Sequence, residues 1–213
     1  MLRCILFDFD GTVFDTVEGI TKSAQYAARQ FGIEAEAESL RCFAGPPLVD
    51  MFMEHFGFDL DDAMRATVHF RERYRPIGLY ECRVFPGIRE LLAELRAAGY
   101  LLGIATSKPQ PLAEELLERE GMTELFDVLV GSGSDANNDS KASVLRRAMD
   151  RLGVTAEDCV LVGDTKYDVR GAHACGVKCL GVGYGYAAPG ELEAEGADVL
   201  IPDLAALRAY FLG

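Results

Sequence analysis

Cys4-Ile5-Leu6-Phe7-Asp8-Phe9-Asp10-Gly11-Thr12 decides how this chain is read. A continuous apolar run fits a strand buried on both faces, and here it runs into two aspartates and an Asp-Gly step. As a strand over Cys4–Phe9 it places Leu6, Asp8 and Asp10 on one face by the two-residue period. Burying one carboxylate costs several kcal/mol, and a like charge beside it adds to that. The pair survives where a cation sits between the groups, or where the strand ends and opens to solvent. An ordinary Asp-Gly turn that closes the strand is the plain alternative.

Outward from this stretch, apolar runs recur at Tyr100–Ala105, Phe126–Val130, Cys159–Val162, Val177–Val182 and Ala197–Ile201. Helical patterns lie between them. Pro86–Ala98 and Pro109–Glu120 start with proline and stop at Gly99 and Gly121, and Ser140–Leu152 and Leu204–Leu212 read the same way. This alternation predicts an α/β fold with a doubly wound parallel sheet. One stretch, Val17 to Cys82, carries helical patterns and no strand, and it is too long for a crossover connection. It reads as an inserted helical domain over 16–82, packed over one end of the sheet, with 1–15 and 83–213 forming the core.

The 213 residues are 49% hydrophobic and 26% charged, with a formal net charge of −13. That balance argues against a nucleic-acid binder and against docking on anionic lipid. An acidic chain that handles phosphate needs a metal or a few placed lysines to offset its own repulsion. No run approaches a membrane span or a signal-peptide apolar segment. The six cysteines form no Cys-x-x-Cys pair, and most sit in apolar runs, so they read as free, buried thiols of a reduced, cytoplasmic protein.

Three further pieces carry chemistry. Val160-Leu161-Val162-Gly163-Asp164 is a second strand that delivers an acid, and a helix starting at Asp164 puts Asp168 on the same side of its first turn. Thr106-Ser107-Lys108-Pro109 ends a strand with two hydroxyls and opens a helix whose free N–H groups, with Thr106 Oγ1, suit an anion. Asp139-Ser140-Lys141 starts a helix with a lysine at the positive end of the dipole, which favours a role against carboxylates or phosphate. All four pieces fall at the carboxyl ends of strands, where open α/β sheets gather ligands. At average residue usage, Asp-x-Asp-Gly-Thr recurs only about once in 10⁵ windows.

With these four motifs in this order, the chain resembles the haloacid dehalogenase superfamily, in its phosphoglycolate-phosphatase-like branch with a helical cap. The likeness extends to the loop Gly181-Val-Gly-Tyr-Gly-Tyr-Ala-Ala-Pro-Gly190 and to Gly196-Ala197-Asp198. The resemblance implies a Rossmann-like core and an Mg²⁺-dependent phosphomonoesterase that works through an aspartyl phosphate. It implies Asp8 as nucleophile, Asp10 as general acid/base, Thr106 on the transferring phosphoryl group and Lys141 bridging that group and Asp8. It further implies metal binding by Asp8, the Asp10 carbonyl and Asp164, with support from Asp168. Gly11, Thr12, Ser107 and Lys108 are expected to bind substrate.

Two departures stand out: Ala142 follows Lys141 where relatives carry proline, and Ser107 stands where they often carry asparagine. Lys108 is the alternative phosphate lysine. In the cap, Arg41-Cys42-Phe43-Ala44-Gly45-Pro46-Pro47 is read either as a substrate loop, with Arg41 meeting a carboxylate, or as an ordinary interhelical turn. Asp15-Thr16 is a candidate hinge. His55, His69 and His173 have no partner spacing for metal or nucleophilic work. The expected substrate is a small phosphorylated metabolite, phosphoglycolate first. The alternatives are a nucleoside 5′-monophosphate, a phosphomutase of the β-phosphoglucomutase kind and a non-catalytic phosphate-binding regulator. A monomer or homodimer is expected.

Overall fold

The computed structural model describes residues 2–133 and 139–213. The chain divides into two units: one runs to Phe14 and resumes from Val84 to Gly213, and the other is Asp15–Arg83. In chain order the strands are β1 (Cys4–Phe7), β2 (Phe14–Asp15), β3 (Arg83–Val84), β4 (Leu101–Pro109), β5 (Val128–Ser132), β6 (Cys159–Gly163), β7 (Lys178–Val182) and β8 (Val199–Ile201). The helices are α1 (Val17–Arg29), α2 (Leu48–Phe56), α3 (Leu60–Tyr74), α4 (Ile88–Ala97), α5 (Gln110–Arg119), α6 (Lys141–Leu152), α7 (Lys166–His173), α8 (Glu191–Glu195) and α9 (Leu204–Leu212). Among the described residues no helix is long and apolar enough to cross a membrane.

The larger unit is a six-stranded sheet in the order β5-β4-β1-β6-β7-β8, every pairing parallel. Both faces are covered, as the largely apolar runs require. Cys4, Leu6, Cys159, Leu161 and Cys179 pack on one side with Val144, Leu145 and Ala148 of α6 and Val169 and Ala172 of α7. Ile5, Phe7, Leu102, Ile104, Val160 and Val162 alternate with them along the strands and are equally buried.

Two strand ends differ from expectation. β1 stops at Phe7, because the Phe9 carbonyl turns back to accept from the N–H groups of Val13 and Phe14 at 3.0 and 2.9 Å. Asp8 still extends the ladder by donating its N–H to the Val162 carbonyl at 2.9 Å, but Asp10 belongs to the turn, so the two carboxylates are not successive members of one strand face. β4 runs on to Pro109, past a register shift against β5. Proline biases the residue before it toward extended backbone, so Lys108 stays in the strand and α5 starts one residue late, at Gln110.

The smaller unit is helical. α1 buries Ile20, Ala24, Ala27 and Ala28, and α3 buries Ala63, Ala66, Thr67, Phe70 and Tyr74. Arg41, Cys42 and Phe43 finish a 3₁₀ helix over Ala37–Phe43, so the turn expected from Arg41 begins only at Ala44. Within this unit Arg73 grips Glu81 through both guanidinium nitrogens, at 2.8 and 3.0 Å.

That pair has a pH signature. The Arg73 guanidinium holds the Glu81 carboxyl below its ordinary 4.5, so folded Glu81 binds a proton less readily than unfolded Glu81. Its stabilisation is therefore present above the unfolded value and is lost as pH falls through the lowered folded one. Glu81→Gln is expected to cost about 1 kcal/mol in urea denaturation at neutral pH, and the difference from wild type should shrink near pH 3. A gap that stays constant across that range would remove the ion pair as its source.

Candidate active site

The sheet order explains why chemistry gathers where it does. From β1 the chain winds outward through β4 to β5, then restarts beside β1 with β6 and winds the other way. β1 is thus the strand at which the winding reverses, the place where open parallel sheets leave a crevice at the carboxyl ends. Asp8 and Asp10 follow β1, Thr106 to Lys108 end β4, Lys141 opens α6, and Asp164 follows β6.

Lys141 is the centre of the cluster. Its Nζ lies 2.7 Å from Asp8 Oδ1 and 2.8 Å from Asp168 Oδ1, and donates to the Ala105 carbonyl at 3.2 Å. All three charged side chains are buried. Burial works against the Lys141 ammonium, but Asp168 and Asp8 outweigh it and hold its pKa above that of an ordinary lysine. For Asp8 burial prevails over Lys141 and pushes the carboxyl up to about 6. Asp164, fully buried, is raised by the same loss of water and by the charges of Asp168 and Asp8.

Asp164 and Asp168 do not share a helical turn. α7 starts at Lys166, after Asp164, because Thr165 and Asp168 form a reciprocal cap. Asp168 Oδ2 accepts from Thr165 N–H at 3.0 Å and Oγ1 at 2.9 Å, which leaves Oδ1 toward Lys141. Asp8, Asp164 and Asp168 nonetheless converge, each offering one carboxylate oxygen within 4.8 Å of the others. Three hard oxygen donors in a buried cluster could hold a divalent metal of the magnesium kind.

Lys108 is equally buried, and its Nζ meets Asp10 at 2.9 and 3.3 Å. The structure thus brings each of the two candidate lysines to a different aspartate, Lys141 to Asp8 and Lys108 to Asp10. Thr106 is buried at the end of β4, where its Oγ1 accepts from Lys108 N–H at 3.1 Å, while Ser107 is half-buried. Gly11 takes a left-handed φ of +83° in the turn after Asp10. Thr12 spends its hydroxyl on Asp164 Oδ1 at 3.1 Å, so its side chain orients a carboxylate rather than facing outward.

Three residues of the glycine-rich loop were not singled out by sequence reasoning. Tyr186 N–H donates to Asp164 Oδ2 at 2.8 Å, Tyr184 donates its hydroxyl to the Thr12 carbonyl at 3.1 Å, and Gly185 packs flat on the Asp164 carboxyl. The Gly-Tyr-Gly-Tyr run was the signal, since glycine is what lets backbone approach a buried acid this closely.

In the smaller unit Arg41 is half-buried and meets Glu38 at 3.7 Å. His69 and His173 pair with Glu72 and Asp198, and the six cysteines are free thiols.

Lys141→Met is the sharpest test of the cluster. It leaves the two buried carboxylates of Asp8 and Asp168 without their shared ammonium, and in metal-free buffer a loss of about 3–5 kcal/mol is expected in urea denaturation. A loss below about 1 kcal/mol would show that the lysine is not enclosed among those acids.

Residues 5–182 match the family model described as haloacid dehalogenase-like hydrolase. A Pseudomonas aeruginosa protein named 5′-nucleotidase is 44% identical over 205 residues, 96% of this chain and 93% of that protein. A Cupriavidus necator protein named phosphoglycolate phosphatase is 37% identical over 210 residues, 96% of this chain and 91% of its own. The crystal structure of a predicted phosphatase from Clostridium acetobutylicum superposes with a TM-score of 0.95 at 37% identity, covering 100% of this chain and 99% of that one. The buried aspartates, the two lysines and the reversal at β1 therefore sit in a chain that belongs to the haloacid dehalogenase-like hydrolases and is a phosphatase of that family.

Proposed function

We propose that this phosphatase is an Mg²⁺-dependent phosphomonoesterase that passes the phosphoryl group through Asp8. The observation that carries the reading is a charge count in one buried cluster. Asp8, Asp164 and Asp168 bring three carboxylates together against the Lys141 ammonium, and a divalent cation makes up the difference. Asp8, Asp164 and the Asp10 carbonyl would hold it, with Asp168 in support. When bound, Mg²⁺ supplies positive charge against the phosphoryl oxygens, so that an anionic nucleophile can approach them.

The reaction divides into two displacements. An Asp8 carboxylate oxygen forms a bond to phosphorus while the ester P–O bond breaks, and Asp10 gives its proton to the departing alcohol. Asp10 then takes a proton from water as that water attacks phosphorus, and the Asp8–phosphate bond breaks to return the carboxylate and release inorganic phosphate. Lys141 shares its charge between Asp8 and the group being transferred, Thr106 binds a phosphoryl oxygen, and Lys108 keeps Asp10 in place. Gly11 and Ser107 complete the cradle.

The test is phosphate release from a generic aryl phosphate. Wild type with Mg²⁺ is expected to release phosphate, with a loss of at least about 10³-fold either in Asp8→Asn or on chelation of the metal. Equal release from wild type and Asp8→Asn would end the proposal, and so would transfer of the phosphoryl group to sugar with none to water.

Among small phosphate esters, nucleoside 5′-monophosphates come first, because the more similar of the two relatives compared above carries that name. Phosphoglycolate is the second reading, supported by the name of the other relative, with Arg41 as the expected partner for a substrate carboxylate. Arg41→Ala is expected to raise KM for phosphoglycolate about tenfold and to leave KM for nucleotides nearly unchanged, and equal effects on both would take Arg41 out of substrate choice.

A further inference from the structure

Asp164 is held on both of its carboxylate oxygens by donors that lie outside the sheet. Thr12 Oγ1 serves Oδ1 at 3.1 Å, and Tyr186 N–H serves Oδ2 at 2.8 Å. Both arrive through close approaches: a Cβ on Gly11 or on Gly185 would overlap the Asp164 carboxyl. Thr12 is pinned in turn from the same loop, since the Tyr184 hydroxyl donates to its backbone carbonyl at 3.1 Å across 172 positions of sequence. The Phe85 ring stands edge-on to Tyr184 with centroids 5.0 Å apart, which fixes the phenol's direction. Burial pushes that phenol above its ordinary range, so the hydroxyl remains a donor under working conditions.

The alternative role for Tyr184 is packing alone. Packing needs the ring but not the hydroxyl, and the hydroxyl goes to the one turn that also carries the Asp10 carbonyl and the Thr12 side chain. From this we infer that Tyr184 is a positioning residue for metal binding: through Thr12 it holds the turn that orients Asp164, and the Gly183–Tyr186 loop acts as a clamp on that carboxylate. The inference rests on the metal-site reading above. A carboxylate oriented before the ion arrives loses little freedom on binding, whereas a loosened one must be ordered each time, and groups that orient metal ligands are typically worth about 10-fold or more in affinity.

The test is Tyr184→Phe, which keeps the ring and its contact with Phe85 and removes only the hydroxyl. Mn²⁺ binding without substrate, followed by the electron paramagnetic resonance signal of the free ion, is expected to weaken about tenfold. The Mg²⁺ concentration for half-maximal phosphate release should rise by a similar factor, while kcat at saturating Mg²⁺ falls by less. Gly185→Ala leaves the phenol in place and crowds Asp164 from the other side, so it offers an independent route and is also expected to weaken Mn²⁺. Equal Mn²⁺ affinity in wild type and both variants would overturn the clamp while leaving the metal site standing. A drop in kcat with metal affinity unchanged would overturn it as well. A wild-type protein that binds no Mn²⁺ would instead strike at the metal-site reading itself.

Discussion

The Lys141 ammonium, enclosed between Asp8 and Asp168, is the contact on which the rest of the site depends. Removing water from one charged group costs several kcal/mol, and this cluster removes it from several at once. No single pair settles such a debt; it is met only when each group has more than one partner. Lys141 has three, including the Ala105 carbonyl, and Asp168 divides its oxygens between the lysine and the Thr165 cap. The lysine even sits at the first position of α6, where the helix dipole disfavours a cation by a fraction of a kcal/mol. That penalty is small beside two buried carboxylate contacts, so the electrostatics of the cluster, not of the helix, decide the residue.

This contact also ties the topology to the chemistry. Lys141 follows β5, Asp8 follows β1 and Asp168 stands two residues inside α7, so one ammonium joins three segments that the winding carries to opposite sides of β1. The sheet brings them near, and the ion pairs set their final separation. Lys108 does similar work between β4 and the turn after β1. Asp8, Asp164 and Asp168 outnumber the ammonium they surround, and that imbalance, after burial itself, is what raises the Asp8 and Asp164 carboxyls.

Much of this was legible because the sheet is covered on both faces. The six apolar runs each produced a strand, and Gly99, Gly121 and Gly153 close α4, α5 and α6 with a left-handed residue. The acids at the strand ends could be read as a group, since the parallel winding sends every carboxyl end to one edge. What could not be read depends on partners remote in sequence. The early end of β1 follows from the Phe9 carbonyl accepting from the turn beyond it, and the late start of α7 follows from Thr165 capping with Asp168. Nothing local to Lys108 announces that it meets Asp10 rather than solvent, since the two lie 98 positions apart.

Asp164 shows why the glycine-rich loop escaped a reading based on side-chain chemistry. Its two donors are a threonine hydroxyl and a backbone N–H, neither of which marks a catalytic role in sequence. Their value comes from direction: a hydroxyl and an amide aimed at opposite oxygens allow one rotamer of the acid and resist the others. Such aim can be had only where backbone comes within contact of the carboxyl, which excludes any Cβ at Gly11 and Gly185. What these positions require is therefore an absence, a missing methyl rather than a present functional group. A search for reactive side chains passes over it, whereas asking what would collide finds it at once.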